Sequence, residues 1–411
     1  MEGDLQKVIF QSDIDPVTFW KYAERYLTLG ARTYSPFSQI ADVDKRYHPQ
    51  LGERAFPLES FWLNDEMGSY FRGTPSSELH DLYQQGDSFL FVVHPNVLNM
   101  PNLRFRGLLA AGIPGPLVEV TPSANTRTLF VNRIGGKRVP NHFLKVHFPR
   151  RISRFVRELD CEDIKHQLWV SGQLIGAGVP VLPDVAGGVL GWGSNDAWGY
   201  IVREATPMNL EETYQFTVPF FALYSRDVLA PNEPPLIAQI ICKRKPAVVL
   251  EEILRGLIQM WILAFVRAGC VIEPHAQNTL FLFSERDGPF GIAYRDADVY
   301  VRVERRENIS SQSDLSPINV IDDSAGVIRE QILSLTFDSF LCHHSLAYLN
   351  RAVCTAFGLG ERFLPSLTKS LFSELGGNDL GLPATTFSFS NELFSTYEFR
   401  LVDTKVEPVW R

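Results

Sequence analysis

The sequence predicts an α+β fold with antiparallel sheets and a helical C-terminal part. Apolar runs of strand length cluster at about 88–148 and 280–303, and helical patterns lie before and after these clusters. Strands and helices that do not alternate regularly favour this class over a doubly wound parallel sheet. Of the 411 residues, 45% are hydrophobic and 21% are charged, which is typical of a globular protein with a large core.

The first half of the chain predicts one helix and then several short strands. Asp15 and Pro16 are typical of a helix start, and we expect this helix to continue to about Leu29. Strands are predicted at 88–93, 116–121, 128–132 and 143–148, with a turn at 135–137. A short helix is predicted at 151–159. The glycine-rich region 172–199 lacks the spacing of a nucleotide-binding loop, so we interpret it as a mobile loop.

The second half predicts a long apolar helix, a meander of strands and further helices. The helix at 248–268 contains Glu251, Glu252, Arg255 and Arg267, which indicates a buried amphipathic helix rather than a membrane span. Strands at 280–284, 290–294 and 299–303 predict an antiparallel meander, and helices are predicted at 327–339, 340–357 and 361–375. We divide the chain into an N-terminal region 1–87 and two halves, 88–205 and 206–411.

Charge and cysteine content exclude some classes of function. The net charge of −8 argues against a nucleic-acid partner, because such proteins need a basic surface. The five cysteines are scattered and form no Cys-x-x-Cys pair, which favours reduced thiols in the cytoplasm. The N-terminus lacks the pattern of a signal peptide. We therefore expect a cytoplasmic protein with no nucleic-acid or membrane partner.

The hexapeptide Glu-Pro-His-Ala-Gln-Asn at 273–278 has the highest density of chemically useful groups. Glu273, Asn278 and the later Asp296 carry the oxygen ligands that magnesium prefers. The ring N–H of His275 and the amide of Gln277 can donate to a carboxylate or a phosphate. From the residues alone, a functional cluster and a structural one explain this segment equally well.

Three cations lie upstream of this hexapeptide. Lys145 lies on a predicted strand between apolar neighbours and faces either solvent, the commoner case, or a cleft. Ser153 and Arg157 are four residues apart, so on the predicted helix they share a face. Arg127 and Arg157 can each bind a carboxylate or phosphate through a fork of hydrogen bonds. Each is by itself typical of a surface residue, but together with the hexapeptide they favour an anionic substrate and a nucleotide.

In their order along the chain, these motifs resemble the siderophore synthetases that work independently of nonribosomal peptide synthetases, the aerobactin-synthetase type. Glu273 to Asn278 matches the family's Glu-x-His-x-Gln-Asn, and Arg295-Asp296 matches its later Arg-Asp step. The family's upstream Ser-x-Arg-Thr corresponds to the segment 125–128, and its strand lysine corresponds to Lys145. Its Ile-Thr corresponds to Ile152-Ser153, and its helix arginine corresponds to Arg157. The resemblance spans about 88–375.

The resemblance implies a cupped-hand architecture in which 88–205 is a fingers-like half, 206–411 is a palm-like half and 1–87 is a shortened N-terminal region. It also implies a ligase that depends on ATP and magnesium, in siderophore or other secondary-metabolite biosynthesis. Such a ligase adenylates a (poly)carboxylic acid such as citrate and releases pyrophosphate. It then transfers the acyl group to an amine or a hydroxyl and releases AMP. A homodimer is a further expectation.

Residue roles follow from the resemblance, position by position. It implies that ATP is bound by Asn125, Arg127, Thr128, Lys145, Gln277 and Asn278. It implies that Ser153, Arg157 and His275 hold the carboxylate and the reacting centre. Glu273 and Asp296 are implied to hold magnesium.

The sequence departs from the family pattern at several positions. Asn125 stands where the family has serine, Asn96-Val97 follow His94-Pro95 where it has Trp-Gln, and Asp298 replaces a glycine. Two alternatives therefore stay open beside the citrate-type ligase. One is a ligase for another acid, such as an amino acid or a polyketide- or terpenoid-derived acid. The other is a non-catalytic homologue that binds a nucleotide or an acid.

Overall fold

The computed structural model describes residues 14–31, 41–73, 77–100, 106–153, 155–191, 198–302, 304, 315–322, 328–390 and 401–411. The α-helices are α1 Pro16–Tyr26, α2 His80–Tyr83, α3 Pro95–Leu98, α4 Arg106–Ala111, α5 Cys161–Gly176, α6 Leu236–Ile240, α7 Pro246–Leu263, α8 Arg329–Ser334, α9 Ala347–Phe357 and α10 Phe363–Glu374. Two π-helical segments, Ala264–Ala268 and Leu335–Leu346, continue α7 and α8 without a break.

The strands of the first half are β1 Phe56–Asn64, β2 Gly68–Arg72, β3 Gln84–Gln85, β4 Ser88–Val93, β5 Ile113–Pro114, β6 Val118–Pro122, β7 Thr128–Ile134, β8 Lys137–Arg138, β9 His142–Val146, β10 Phe148–Ile152, β11 Phe155–Arg157, β12 Asp184–Leu190 and β13 Trp198–Glu204. Those of the second half are β14 Phe216–Pro219, β15 Cys270–Val271, β16 Thr279–Phe283, β17 Phe290–Tyr294, β18 Tyr300–Arg302, β19 Val320–Ile321, β20 Phe387–Phe389 and β21 Leu401–Asp403. The predicted α+β class is confirmed.

A large antiparallel sheet carries the first half of the site. Within the described residues it has eleven strands, nine of them in the order β2-β12-β13-β9-β7-β6-β1-β4-β3, with β5 and β8 paired at its sides. On β9, Leu144 and Val146 point into the core of this sheet, and the alternation of the strand turns Lys145 to the opposite face. The turn before β8 has Gly135 and Gly136 at positive φ, as a two-residue hairpin turn requires.

The region before residue 88 is tied to both halves of the chain. Strands β1 and β2 pair with β6, β4 and β12 of the large sheet. Helix α1 instead packs against β14, and its Phe19 meets Phe216 and Phe283 edge-on. The Asp15 side chain accepts from the Thr18 N–H at 2.9 Å, which caps α1 where the sequence predicted its start.

The prediction of a helix at 151–159 is wrong. Strands β10 and β11 form an antiparallel hairpin there, with Ser153 in its turn at φ 61°. The helix starts only at Cys161. Asp160 and Asp163 each accept from the other's backbone N–H, at 2.9 and 3.2 Å, and this capping box determines the start.

Most described residues of the glycine-rich region 172–199 belong to a helix or a strand, so the prediction of a mobile loop is wrong for them. Residues 192–197 of this region lie outside the described residues. The first residues of the region complete α5, and 184–190 form the buried strand β12. A Cβ on Gly187 would collide with Ile164 of α5, and one on Gly188 would lie 2.5 Å from the Tyr200 ring. These glycines therefore allow close packing of the sheet rather than loop mobility.

The predicted meander at 280–303 is correct for two of its three strands. β16 pairs with β17, and β14 flanks β16. The third strand, β18, instead joins a separate sheet with β15 and β19, and its pairing with β19 is parallel. The chain leaves β17 at Asp296, whose φ of 94° turns it away from the meander.

The C-terminal half is helical, as predicted, but with different boundaries. Helix α7 and its π-helical end bury one apolar face, which agrees with the predicted amphipathic helix. The predicted helices 327–339 and 340–357 form one continuous helix from Arg329 to Phe357, because no glycine or proline interrupts it. The predicted start at 327 lies outside the described residues.

We expect Gly187→Ala to lower the free energy of unfolding by about 1–3 kcal/mol, because the added methyl group forces Ile164 and the α5 contact apart. Urea unfolding followed by circular dichroism measures this change. Gly176→Ala is the control: Gly176 is the last residue of α5, the helix against which Gly187 packs, and no atom lies within 4 Å of the added Cβ. Equal stability of the two variants would contradict the packing role of Gly187.

Candidate functional site

One cavity of about 320 Å³ brings together most of the residues that the sequence singled out. Eight of the eleven predicted site residues line it, namely Asn125, Arg127, Arg157, Glu273, His275, Gln277, Asn278 and Asp296. The cavity lies between the loop before β7, strand β11, the 273–278 segment and the chain after β17. Phe340 of the π-helix and Phe389 of β20 add an aromatic wall.

The 273–278 segment is a tight turn that directs its side chains into the cavity. The His275 N–H donates to the Glu273 carbonyl at 2.8 Å, and the N–H groups of Asn278 and Thr279 donate to the His275 carbonyl at 2.9 and 3.0 Å. The Glu273 N–H donates to the Tyr294 hydroxyl at 3.1 Å. These backbone bonds hold the segment without using its side chains.

His275 is a neutral imidazole in this setting. Burial lowers the pKa of its ring to about 3, and Arg157 and Arg295 act in the same direction against Asp296. Its ring meets Phe340 edge-on with the centroids 5.8 Å apart. A neutral ring carries one N–H donor at neutral pH, which suits a contact to an anionic oxygen.

Asp296 is held by a buried network that joins the two halves of the chain. Lys145 Nζ lies 2.6 Å from Asp296 Oδ1, and Arg203 Nη2 lies 3.4 Å from the same oxygen. Arg203 also forms a fork with Asp184, at 2.6 and 3.0 Å. Burial opposes ionisation of Asp296, but Lys145 and Arg203 outweigh it and hold the pKa of this carboxyl well below its usual range.

The acidic side of the cavity holds three carboxyl groups. Burial, together with Asp298 and Asp296 nearby, raises the pKa of Glu273 to about 8. Asp298 Oδ1 accepts from Asn319 Nδ2 at 3.1 Å, and both residues line the cavity. Burial is the larger cause of this shift, and the two neighbouring aspartates add to it, so a cation close to the three carboxyl groups would favour their ionised forms.

The basic side of the cavity is formed by Arg127 and Arg157. Arg127 is 4% exposed, and its Nη1 donates to the carbonyls of Arg157 and Glu158, both at 3.2 Å. Burial and the nearby Arg157 lower the pKa of Arg127 to about 10, so it remains charged at neutral pH. Arg157 reaches the cavity from β11 rather than from the predicted helix, so it shares no helical face with Ser153.

Three predicted residues lie outside the set of described residues that line the cavity. Lys145 is 2% exposed and lies one layer behind it, bound to Asp296 and to Gln167 Oε1 at 2.7 Å, so the solvent-facing interpretation is wrong. Thr128 lies opposite Lys145 on the neighbouring strand β7. Ser153 is buried in the hairpin turn.

His94 belongs to the segment that was compared with a family motif, and it also lies away from the cavity. Its ring is fully buried against Tyr47, Phe56 and Phe148, with centroids 5.1 to 5.5 Å apart. Its Nδ1 accepts from the Asn96 N–H at 3.1 Å. These contacts explain His94 as a capping and packing residue.

Sequence reasoning assigned no role in the site to four residues that the structure places around it: Glu24, Arg203, Asp298 and Asn319. Asp298 had a usable signal, since it lies two residues after Asp296. Glu24, Arg203 and Asn319 are distant in the sequence from the motifs that they contact, so pattern alone gave no indication of them.

Comparison with solved structures identifies the fold. The ATP-bound aerobactin synthetase IucA of a hypervirulent Klebsiella pneumoniae superposes with a TM-score of 0.65 at 16% identity, covering 92% of this chain and 73% of IucA. The petrobactin biosynthesis protein AsbB of Bacillus anthracis superposes with a TM-score of 0.67 at 14% identity, covering 100% and 77% of the two chains. The aerobactin synthetase IucC of Klebsiella pneumoniae gives 0.62 at 15% identity, covering 92% and 74%.

This chain has the siderophore-synthetase fold. The family resemblance drawn from the motifs is thus confirmed at the level of the fold, over 92–100% of the chain.

One family model matches a segment in the second half of the chain. The model of the FhuF family, described as a ferric iron reductase FhuF-like transporter, matches residues 249–354. That segment runs from α7 to α9 of the siderophore-synthetase fold. Comparison with curated proteins finds no significant match. In the part of the chain that the structure describes, no helix is long and apolar enough to cross a membrane.

We expect Lys145→Met to lower the free energy of unfolding by about 3–5 kcal/mol, because it leaves the Asp296 carboxylate without its principal partner. Urea unfolding measures the change. Arg255→Met is the control, since Arg255 forms exposed pairs with Glu251 and Glu374 and should cost about 1 kcal/mol or less. If Lys145→Met were as mild as this control, the network around Asp296 would not contribute to stability.

Proposed function

We propose that this protein is an ATP-dependent ligase that activates a carboxylic acid as an acyl-adenylate and transfers the acyl group to an amine or a hydroxyl. The observation that carries this proposal is the two-sided cavity, with Arg127 and Arg157 on one wall and three carboxyl groups on the other. The fold shared with siderophore synthetases, one of them described as ATP-bound, supports it.

The basic wall suits the first half of this reaction. A carboxylate oxygen attacks the α-phosphorus of ATP, the bond to the β-phosphate oxygen breaks, and pyrophosphate leaves. Two anions must approach each other, so Arg127 and Arg157 have to offset their repulsion and align the oxygens. Neutral His275, between these cations and the acids, can donate to the oxygen where charge develops.

The second half of the reaction needs no covalent intermediate with the enzyme. The amine or hydroxyl attacks the acyl carbon, AMP leaves, and a proton from the nucleophile is released. Gln277 and Asn278 provide amide groups on the same wall as His275, where they can hold the nucleotide during both steps.

The residues present fit a magnesium ion that is shared with the nucleotide. Among the described residues, no group of three or more His, Cys, Asp and Glu side chains could hold a metal ion by themselves. Magnesium is usually bound by one or two carboxylates together with phosphate oxygens, and Glu273 and Asp296 can provide the carboxylates. The closeness of Asp298 and Asp296, which adds to the effect of burial in raising the pKa of Glu273, supports a cation at this position. When bound, the ion would screen the triphosphate and assist the departure of pyrophosphate.

Citrate is the first candidate for the acid, in siderophore or other secondary-metabolite biosynthesis. A hydroxylamine trap tests the proposal directly: the protein, ATP and magnesium are incubated with citrate, amino acids and polyketide- or terpenoid-derived acids, and hydroxamates are measured. A hydroxamate with one acid supports the ligase and names its substrate class. ATP binding without any hydroxamate would favour the non-catalytic homologue.

We expect Arg157→Ala and His275→Ala each to reduce acid-dependent ATP–pyrophosphate exchange by ~10²-fold or more, the usual scale for one preorganised electrostatic contact. Arg133→Ala is the control, because Arg133 is an exposed cation of β7 that pairs only loosely with Glu119, at 4.0 Å. Normal exchange in both site variants would show that the cavity is not the reaction centre.

We expect chelation with EDTA to abolish the exchange reaction and added magnesium to restore it, since the triphosphate then regains its counter-ion. Glu273→Gln should raise the magnesium concentration needed for half-maximal rate by ~10-fold or more, on the scale seen when a group that supports a metal ion is lost. Calcium addition is a useful comparison because calcium prefers more ligands and longer bonds. Exchange that proceeds at full rate in EDTA would contradict the metal requirement.

A further inference from the structure

We propose that Glu24 and Arg295 are positioning residues that set the spacing between the two loops of the cavity. One loop is 123–127, which carries Asn125 and Arg127, and the other is 273–278, which carries Glu273, His275, Gln277 and Asn278. The expected effect of this pair on the reaction rate rests on the proposed function, whereas the link between the two loops rests on contacts alone.

A continuous chain of hydrogen bonds connects the loops through this pair. Glu24 Oε2 accepts from the Ala124 N–H at 3.0 Å, directly before Asn125. Both Glu24 carboxylate oxygens accept from the Arg295 guanidinium, from Nη1 and from Nη2 at 3.2 Å. Arg295 Nε then donates to the Gln277 carbonyl at 2.8 Å, and the Arg295 N–H donates to the Asn278 carbonyl at 2.8 Å.

Neither residue is placed to contact the substrate itself. The Glu24 side chain is 0% exposed and that of Arg295 is 5% exposed. Both lie outside the set of described residues that line the cavity. Their effect on the reaction must therefore pass through the loops that they hold.

The pair also ties α1 to both loops. Glu24 lies on α1, and its Oε1 accepts from Trp20 Nε1 at 3.1 Å. Trp20 in turn packs edge-on against Phe130 of β7 and Phe143 of β9. The N-terminal helix thus fixes the carboxylate against the large sheet, and Arg295 transmits that position to the second half of the chain.

A fork-shaped ion pair suits this task better than an apolar contact. A buried Arg–carboxylate pair adds little net stability compared with well-packed apolar residues, but its parallel hydrogen bonds define one distance and one orientation. Misplacement of reacting groups by about 1 Å can cost ~10²-fold in rate. Stability and catalysis should therefore respond differently when both charges are removed.

The experiment compares Glu24→Gln, Arg295→Met and the double variant Glu24→Gln/Arg295→Met in the full chain. Asp338→Asn is the matched control, because Asp338 forms another buried carboxylate–arginine fork, with Arg411 at 2.8 and 2.9 Å. Each protein is measured for Tm, for kcat and KM in acid-dependent ATP–pyrophosphate exchange, and for hydrogen exchange of peptides that span 273–283.

We expect Glu24→Gln to lower Tm by roughly 5 °C or more, because it leaves the Arg295 charge buried and unpaired. The double variant should recover at least half of that loss, yet its kcat should stay ~30-fold or more below that of the wild type, with KM for ATP changed by about 3-fold or less. Asp338→Asn should lose Tm in the same way and keep kcat within about 2-fold.

Recovery of kcat together with Tm in the double variant would overturn the proposal, and so would a loss of kcat in Asp338→Asn as large as in Glu24→Gln. The hydrogen-exchange measurement without nucleotide separates this inference from the proposed function. Faster amide hydrogen exchange at 273–283 in the double variant supports the link between the loops, even if the wild type has no ATP–pyrophosphate exchange activity. Unchanged amide hydrogen exchange at 273–283 contradicts the link, whatever the ATP–pyrophosphate exchange activity of the protein.

Discussion

The contact between Lys145 and Asp296 joins the two halves of the chain, and the rest of the site depends on it. Lys145 comes from the large sheet, Asp296 from the turn after β17, and their side chains meet at 2.6 Å. Because the lysine is buried, water cannot take the place of either partner, and loss of one partner would leave the other charge uncompensated at a high cost in free energy. Lys145 and Arg203 keep Asp296 ionised, and Asp184 extends the network by pairing with Arg203. The carboxylate is thereby fixed at the edge of the cavity, in a backbone conformation that few residues other than glycine adopt.

Charge separation across the cavity follows from this arrangement. The arginines Arg127 and Arg157 approach from the first half, whereas Glu273, Asp296 and Asp298 approach from the second. Each half alone would carry an excess of one sign of charge. A nucleotide triphosphate with its counter-ion has both signs in one ligand, which is why this geometry suits it. The Glu24–Arg295 pair serves the same interface at the level of the loops, since it connects the backbone before Asn125 with that around Gln277.

The α+β class, the helix start at Asp15, the strand β4 and the strands around Thr128 and Lys145 could all be predicted, because hydrophobic periodicity and capping act over short distances. The hairpin at 148–157 could not, since Ile152 and Val156 fit a helix or a strand equally well and only the pairing of β10 with β11 decides. The glycines at 187 and 188 suggested a loop. Glycine is needed at these two positions because Ile164 and Tyr200, which belong to other elements of the structure, pack closely against them.

By itself the sequence determined which chemical groups are available: a hexapeptide with Glu273, His275 and Asn278, a later Asp296, and the cations Arg127, Lys145 and Arg157. It could do so because residue type and local spacing are properties of the chain. The tertiary structure decided which of these groups face the cavity, that Lys145 lies behind it as a partner of Asp296, and that Glu24 and Arg203 belong to the site at all. These contacts join residues up to 271 positions apart, and burial sets the charge state of the ionisable groups among them, so no local pattern could specify them.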